Sequence, residues 1–291
     1  MARAPPCHGG GRRFKPGMDR QFARIAQLEE RDPCKFEATR SIRVAGSIHM
    51  EVVMLSFVSQ TGYSMMETFA ARMYAASPVR SVRIEDLDML PKSGWIPVGT
   101  VEFCRAAMAR QGIDEPSVST YPDALTAFLG RTVWASTAIQ VRICDRPVFV
   151  KPMQAKRFTG FIWPHGGMNQ QEFQAIPDHF PVWCSQVVSF SAEWRFYVCR
   201  GEIVGAGRYD DGPENASVPD QGVVREIVAI YQNAGAPAGY GLDVGVDQDG
   251  RILLVEVNDG WALGLYKGMP ERSYLGLLAA RWEELLETRP S

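Results

Sequence analysis

The chain has 291 residues, of which 46% are hydrophobic and 22% are charged, and its formal net charge is −2. This composition predicts a soluble globular protein that is long enough to bury one large core or two. No apolar run approaches the roughly 18 residues of a membrane-spanning helix, and the near-neutral charge gives no reason to expect nucleic-acid binding. The 6 cysteines form no CxxC pair, which argues against structural zinc and predicts reduced thiols in a cytosol.

The N-terminal segment differs from the rest of the chain. It is basic, rich in Pro, Gly and Arg, and lacks a sustained apolar period, which predicts disorder. The stretch 26–44 resembles the peptide that results when a transfer-RNA gene is translated as protein. We therefore expect residues 1–49 to be a disordered or non-native extension, with a natural start at Met50 or Met54.

Strands and helices alternate from residue 50 to about residue 130, which predicts a small α/β domain. Expected strands cover 51–59, 81–84 and 95–98, and expected helices cover 64–75, 100–111 and 123–129. Runs of strands then dominate 131–291, which predicts an α+β domain with largely antiparallel sheets. Its expected strands are 132–135, 139–143, 147–151, 182–190, 193–199, 203–209, 241–247 and 251–258, and its expected helices are 221–233 and 271–287.

The segment 241–258, GLDVGVDQDGRILLVEVN, predicts a hairpin that carries carboxylates. Asp249-Gly250 favours a two-residue type I′ loop, which would place Gln248 opposite Arg251 and Asp243 opposite Glu256. Asn258 then lies on the same face as Glu256. Like charges that face each other on buried strands are destabilising unless a cation lies between them, and oxygen ligands of this kind suit Mg²⁺. The alternative is a longer loop with a shifted register and solvent-facing acids.

Two further patterns carry charge. Lys151 ends the apolar strand PVFVK and can deliver a point charge to phosphates, although a solvated strand end is the alternative. The following basic loop contains Lys156, but GxxxxGK[ST] and GxGxxG are both absent. Glu193, Arg195 and Tyr197 share one strand face by period two, where an ordinary cross-strand salt bridge is the alternative reading.

Taken in order, these features resemble the ATP-grasp superfamily over about residues 95–268. The resemblance implies an ATP-grasp fold whose antiparallel sheets enclose the nucleotide, with a central subdomain at about 131–185 and a catalytic subdomain at about 186–291. It implies the following roles: Asp243, Glu256 and Asn258 hold Mg²⁺; Lys151 contacts ATP phosphates; Gln186, Val187 and Val188 form the adenine hinge; Glu193 binds the ribose; Arg208, joined by Arg195, meets the transferred phosphate.

Two departures from the family accompany the match. Many members carry a further lysine near the start of the helix at 100–111, where this chain has Val101 and Glu102. The glycine-rich phosphate loop is reduced to MQAKRFTG, in which Lys156 is expected to help cover the phosphates. Trp261, Tyr266 and Lys267 follow the metal strand and are expected to line the acceptor pocket, with packing and a surface lysine as the alternative.

The resemblance implies an ADP-forming carboxylate–amine ligase that acts through an acyl phosphate and uses ATP and Mg²⁺. The expected partners are small-molecule or peptide carboxylates and amines, without nucleic acid or membrane, and the expected location is the cytoplasm. A homodimer is left open. The alternatives are an ATP-grasp small-molecule kinase, a catalytically inactive ATP-binding module, and an accidental motif match in an α+β protein that binds no nucleotide.

Overall fold

A computed structural model describes residues 55–63, 65–154, 157–164, 169–210 and 218–289, and the predicted extension at residues 1–49 lies outside these ranges. The strands are β1 (Ser56–Gln60), β2 (Arg80–Val82), β3 (Trp95–Val98), β4 (Val133–Thr137), β5 (Val148–Pro152), β6 (Phe161–Trp163), β7 (Pro181–Ser185), β8 (Phe190–Cys199), β9 (Glu202–Arg208), β10 (Gly239–Asp247) and β11 (Ile252–Asp259). The α-helices are α1 (Met66–Tyr74), α2 (Val101–Gln111), α3 (Ala138–Arg142), α4 (Asn169–Gln174), α5 (Gln221–Asn233) and α6 (Glu271–Glu287), and short 3-10 helices cover Ile84–Met89, Asp123–Phe128 and Gly260–Ala262. None of the helices in these ranges is long and apolar enough to cross a membrane.

The N-terminal part forms a parallel sheet of order β2-β1-β3. Helix α2 follows β3 and begins at Thr100, whose side chain accepts a hydrogen bond from the Phe103 N–H at 3.2 Å. It ends before Gly112, which has the left-handed φ of +68° that favours glycine at this position. The parallel sheet with its helices is the α/β arrangement that the sequence pattern predicts.

Two antiparallel four-stranded sheets make up most of the remaining described structure. The first has the order β4-β7-β5-β6, and the second has the order β11-β10-β8-β9. We call them the central sheet and the C-terminal sheet. Their antiparallel pairing confirms the α+β class and brings strands from distant parts of the sequence side by side.

Each sheet buries one face in a core of its own. In the central sheet, Val148 and Val150 pack with helix α3, and in the C-terminal sheet Leu242 and Val244 pack with helix α5. Because side chains alternate along a strand, Lys151 and Asp243 lie on the opposite faces, where the functional side chains are found.

Helix α6 packs in the N-terminal core. Leu277 and Trp282 of this helix share a buried cluster with Trp95, Ile96 and Phe103. The last helix of the chain therefore joins the N-terminal sheet to the C-terminal sheet. The domain limits at residues 49, 130 and 185 stay predictions.

One expected strand is a helix. The β-branched sequence 139–143 favours a strand, but the structure has helix α3 there. The Gln140 side chain reaches back and accepts a hydrogen bond from the Thr137 N–H at 3.1 Å, which satisfies a free amide at the helix start. This prediction was wrong because a local cap outweighs the β-propensity of these few residues.

Candidate active site

The hairpin between β10 and β11 carries the carboxylates in the predicted pairing, although its loop differs. Asp247 pairs with Arg251 around the three residues 248–250, so the predicted pairing of Gln248 with Arg251 was wrong. The Asp247 carboxylate accepts the N–H groups of Asp249 at 3.0 Å and Arg251 at 2.9 Å, and Gly250 takes the left-handed conformation that a three-residue loop requires. A β-bulge restores the register, so Asp243 faces Glu256.

Asp243, Glu256 and Asn258 form one polar cluster on the C-terminal sheet. The Asn258 amide donates to Asp243 Oδ2 at 3.0 Å and to Glu256 Oε1 at 2.9 Å. The Asp243 side chain is only 2% exposed. Two carboxylates and an amide therefore converge in a partly desolvated place, as the hairpin pattern predicts.

Arg195 neutralises Asp243. It lies directly opposite Asp243 in the pairing of β8 with β10, and its guanidinium donates from Nε to Oδ1 and from Nη2 to Oδ2, both at 2.7 Å. Burial opposes the charged form, but Asp243 outweighs it and raises the pKa of Arg195. Gly241 makes room for this side chain, since a Cβ there would lie 3.1 Å from Arg195 Nε.

Lys151 connects the two antiparallel sheets. It lies on β5 of the central sheet, and its Nζ contacts Glu256 Oε2 on β11 of the C-terminal sheet. Burial lowers the pKa of Lys151 to about 7; Asp243 opposes this shift, and the charges of Arg131 and Arg195 reinforce it. The ammonium also lies 5.4 Å from the centre of the Tyr121 ring, a favourable cation–π distance.

Residues 186–189 connect the two antiparallel sheets, because they join the end of β7 to the start of β8. Gln186 is held at both ends: its N–H donates to Thr132 O at 3.1 Å, and its Oε1 accepts from the Thr132 N–H at 2.9 Å. Val187 is 41% exposed. The predicted hinge residues therefore lie at a true crossing between sheets.

Glu193 lies two residues before Arg195 on the same strand face, as predicted. Tyr209 hydrogen-bonds its carboxylate, and burial raises the pKa of Glu193. Arg208 lies out of phase with this face, because it pairs with Trp194, and its Nε donates to Asp210 at 2.6 Å. Its contact with a transferred phosphate stays a prediction.

The segment after β11 places the three expected pocket residues in different surroundings. Trp261 is 5% exposed and packs in the N-terminal core, whereas Lys267 is exposed. Tyr266 stacks on Tyr209 with ring centres 5.4 Å apart, and the Arg195 guanidinium lies 5.1 Å from the Tyr266 ring centre. Of the three, Tyr266 therefore reaches the charged cluster.

Gly207 allows Tyr266 to lie so close to β9. A Cβ at this position would lie 2.7 Å from the Tyr266 Cβ and 3.2 Å from the Lys267 backbone oxygen. We expect Gly207→Ala to push Tyr266 away from Arg195 and to lower the free energy of unfolding by about 1–3 kcal/mol, the usual cost of overpacking. Urea unfolding measures this loss. Gly276→Ala is the control, since open space surrounds its Cβ position, and equal losses in both variants would contradict the close approach.

A comparison with protein-family models matches residues 128–275 to an ATP-grasp domain, the second family of its clade. The match spans just over half of the chain and contains every residue of the charged cluster. The chain belongs to the ATP-grasp family. No curated protein matches the sequence.

Solved structures of ATP-grasp ligases share the general arrangement at low sequence identity. One is the ATP-grasp ligase PsnB in complex with precursor peptide PsnA2 and AMPPNP, with 12% identity, 81% of this chain and 100% of that chain covered, and a TM-score of 0.41. A second is D-alanine–D-alanine ligase from Bacillus anthracis, with 13% identity, 80% and 97% covered, and a TM-score of 0.49. A third is the D-cycloserine synthetase DcsG, with 12% identity, 79% and 99% covered, and a TM-score of 0.43.

The donor set of the ATP-grasp domain fits Mg²⁺. Asp243, Glu256 and Asn258 supply hard oxygen ligands on adjacent strands, which is the chemistry that Mg²⁺ selects. Within the described ranges, no group of three or more His, Cys, Asp or Glu side chains is placed to hold a metal ion, so the site depends on the Asn258 amide as its third donor. Lys156 lies outside the described residues.

Three side chains that contact this site were missed by sequence reasoning. Tyr209 could have been found, because it continues the period-two face of Gly207 beyond the end of β9. Arg131 donates to backbone oxygens of β11, and Glu67 accepts the Leu265 N–H at 2.8 Å. Neither carries a local signal, because their partners lie more than 120 residues away in the sequence.

Proposed function

We propose that this ATP-grasp protein is an ATP- and Mg²⁺-dependent carboxylate–amine ligase that forms an amide or peptide bond through an acyl phosphate and releases ADP and phosphate. One observation supports this most strongly: Lys151 from the central sheet meets Glu256 of the C-terminal sheet, beside Asn258 and the Arg195–Asp243 pair. Cationic and anionic groups for a nucleotide phosphate and its metal ion thus come together between two sheets.

The proposed reaction needs charge neutralisation and positioning more than a protein nucleophile. Lys151 and Arg195 hold positive charge beside the carboxylates, where they can offset charge that develops on a transferring phosphoryl group. Arg208 is proposed to assist from the end of β9. Gln186, Val187 and Val188 are proposed to bind the adenine and Glu193 the ribose, with Lys156 over the phosphates.

Asp243, Glu256 and Asn258 are proposed to hold the magnesium. When bound, Mg²⁺ bridges phosphate oxygens and neutralises their charge. In the structure the two carboxylates already face cationic side chains, so Lys151 and Arg195 also hold these ligands in place. Their partial burial keeps water from screening the charges.

Tyr266 and Lys267 are proposed to contact the acceptor, with Trp261 supporting them from the core. The proposed substrates are a small-molecule or peptide carboxylate and an amine, and the proposed location is the cytoplasm. ADP release that requires a carboxylate but no amine would instead identify a small-molecule kinase. Nucleotide binding without any ADP release, across acid–amine pairs, would identify an inactive binding module.

A thermal-shift titration with ATP, with and without Mg²⁺, tests the nucleotide site. At about 100 times its Kd, a ligand adds about 2.7 kcal/mol to the free energy of unfolding. We expect a Mg²⁺-dependent rise in Tm for the wild-type chain and a loss of most of that rise for Lys151→Met, because the ammonium that meets the phosphates is gone.

The matched control is Lys92→Met, since Lys92 is an exposed lysine outside this cluster. It should keep the full rise in Tm. If millimolar ATP with Mg²⁺ leaves the Tm of the wild-type chain unchanged, the proposed function is wrong. If Lys151→Met keeps the rise, the phosphates lie elsewhere.

A further inference from the structure

Arg131 contacts the backbone of the strand that carries Glu256. This half-buried arginine lies between the 3-10 helix Asp123–Phe128 and strand β4. Its Nη1 donates to Leu254 O at 2.7 Å, and its Nη2 donates to Val255 O at 3.0 Å. Nη1 also donates to Leu129 O at 2.9 Å. A single guanidinium therefore binds two consecutive carbonyls of β11.

Those two carbonyls mark a β-bulge. Val244 pairs with Leu254, but the next residue of β10, Asp243, pairs with Glu256. Val255 is thus an extra residue on β11. In a regular strand, consecutive carbonyls point to opposite edges, whereas a bulge turns two of them toward one edge. The planar guanidinium has two parallel N–H groups that match this arrangement.

The bulge decides which side chain faces Asp243. Without the extra residue, the pairing that starts at Val244 and Leu254 would continue unbroken, and Val255 would lie opposite Asp243. A shift of one residue moves every later side chain of a strand to the other face. Glu256 and Asn258 would then turn away from Lys151 and toward the core that packs against helix α5.

We propose that Arg131 is a positioning residue that fixes the β11 bulge and thereby keeps Glu256 and Asn258 on the face of Asp243 and Lys151. The effect on nucleotide binding rests on the proposed function, but the register itself does not. Thr120 assists, because its carbonyl accepts the Val257 N–H at 2.9 Å on the same edge of β11. The neighbouring Thr132 is bound to Gln186 of the hinge, so residues 131–132 hold two parts of the site at once.

The test compares Arg131→Met with a chain that also lacks Val255. Deletion of Val255 removes the bulge and leaves Glu256 as the next residue after Leu254, directly opposite Asp243. We expect Arg131→Met to weaken binding of ATP with Mg²⁺ by about 10–100-fold, as loss of a supporting contact does in metal sites. The double variant should regain most of that affinity, because a regular strand needs no guanidinium. Arg225→Met, in an exposed arginine of helix α5, is the control.

A nuclear Overhauser measurement reads the register without any nucleotide. Since the Val257 N–H donates to Thr120, Leu242 and Val257 form a non-hydrogen-bonded pair, whose Cα atoms lie about 4.5 Å apart. Wild type and the double variant should show an Hα–Hα contact between Leu242 and Val257. In Arg131→Met we expect this contact to be replaced by one between Leu242 and Glu256.

Three outcomes would overturn the proposal. One is an unchanged Leu242–Val257 contact in Arg131→Met, which would mean that Arg131 does not set the register. Another is a double variant that stays as weak as Arg131→Met. If Arg131→Met does not fold, the double variant decides, and its failure to fold also overturns the proposal. A wild-type chain that does not bind ATP refutes the proposed function, and the Overhauser contacts still test the register.

Discussion

Arg195→Met is expected to lower the free energy of unfolding by about 3–5 kcal/mol. Arg195 and Asp243 form a two-bond ion pair whose side chains are 9% and 2% exposed. Removal of one partner leaves an uncompensated buried charge, which is what makes such changes costly. Urea unfolding measures the loss. Addition of Asp243→Asn should restore much of the stability, because the remaining amide carries no charge.

The matched control is Arg200→Met. Arg200 follows the same strand and forms an ion pair with Glu283 at 2.9 Å, but both side chains are largely exposed. Exposed pairs of this kind contribute about 0–1 kcal/mol. If Arg195→Met and Arg200→Met cost equal amounts, or if Asp243→Asn brings no recovery, the buried pair does not have the role that the structure gives it.

Glu256→Gln is expected to reduce the rate of ADP release by about 10²–10³-fold while the chain stays folded. Loss of the carboxylate charge weakens the proposed metal site, and charge stabilisation by a metal ion is worth several kcal/mol in the transition state. Glutamine has nearly the same volume and creates no cavity, but it offers only one oxygen to Lys151 and Asn258. The lost acceptor should cost about 1–3 kcal/mol of stability.

Two measurements check this result: ADP release in the presence of a productive acid–amine pair, and urea unfolding of the same variant. Glu202→Gln is the control, since Glu202 is an exposed glutamate on β9. Full activity of Glu256→Gln would remove Glu256 from the proposed metal site. Loss of folding would mean that the residue is mainly structural.

Several elements could be predicted from local sequence alone. Helices α5 and α6 have the bounds that the sequence predicts, 221–233 and 271–287. Helix α2 begins at the Thr100 cap and ends at Gly112, as the capping pattern indicates. These predictions succeeded because helix periodicity and caps depend on residues within a few positions of one another. The strand predicted at 139–143 failed because its β-branched residues carry a similar weight in either state.

The carboxylate hairpin was predicted correctly for a reason that was only half right. The two-residue loop is wrong by one residue, since Asp247 and Arg251 close a three-residue loop. The bulge at Val255 shifts the pairing back by one residue. The two deviations cancel, so Asp243 faces Glu256 as the simple hairpin predicts. Alternation along the strand could not reveal the bulge, because its partner Arg131 comes from a distant segment.

The sequence by itself determined the α+β class, the strand face shared by Glu193 and Arg195, and the residue types at the site. Tertiary structure alone decided which charges meet. Arg195 binds Asp243 across 48 residues of sequence, and Lys151 reaches Glu256 across 105. Periodicity and capping act over a few residues, whereas buried charges are paired by whichever partners the packed sheets bring within hydrogen-bond distance. That pairing exists only once both sheets have formed.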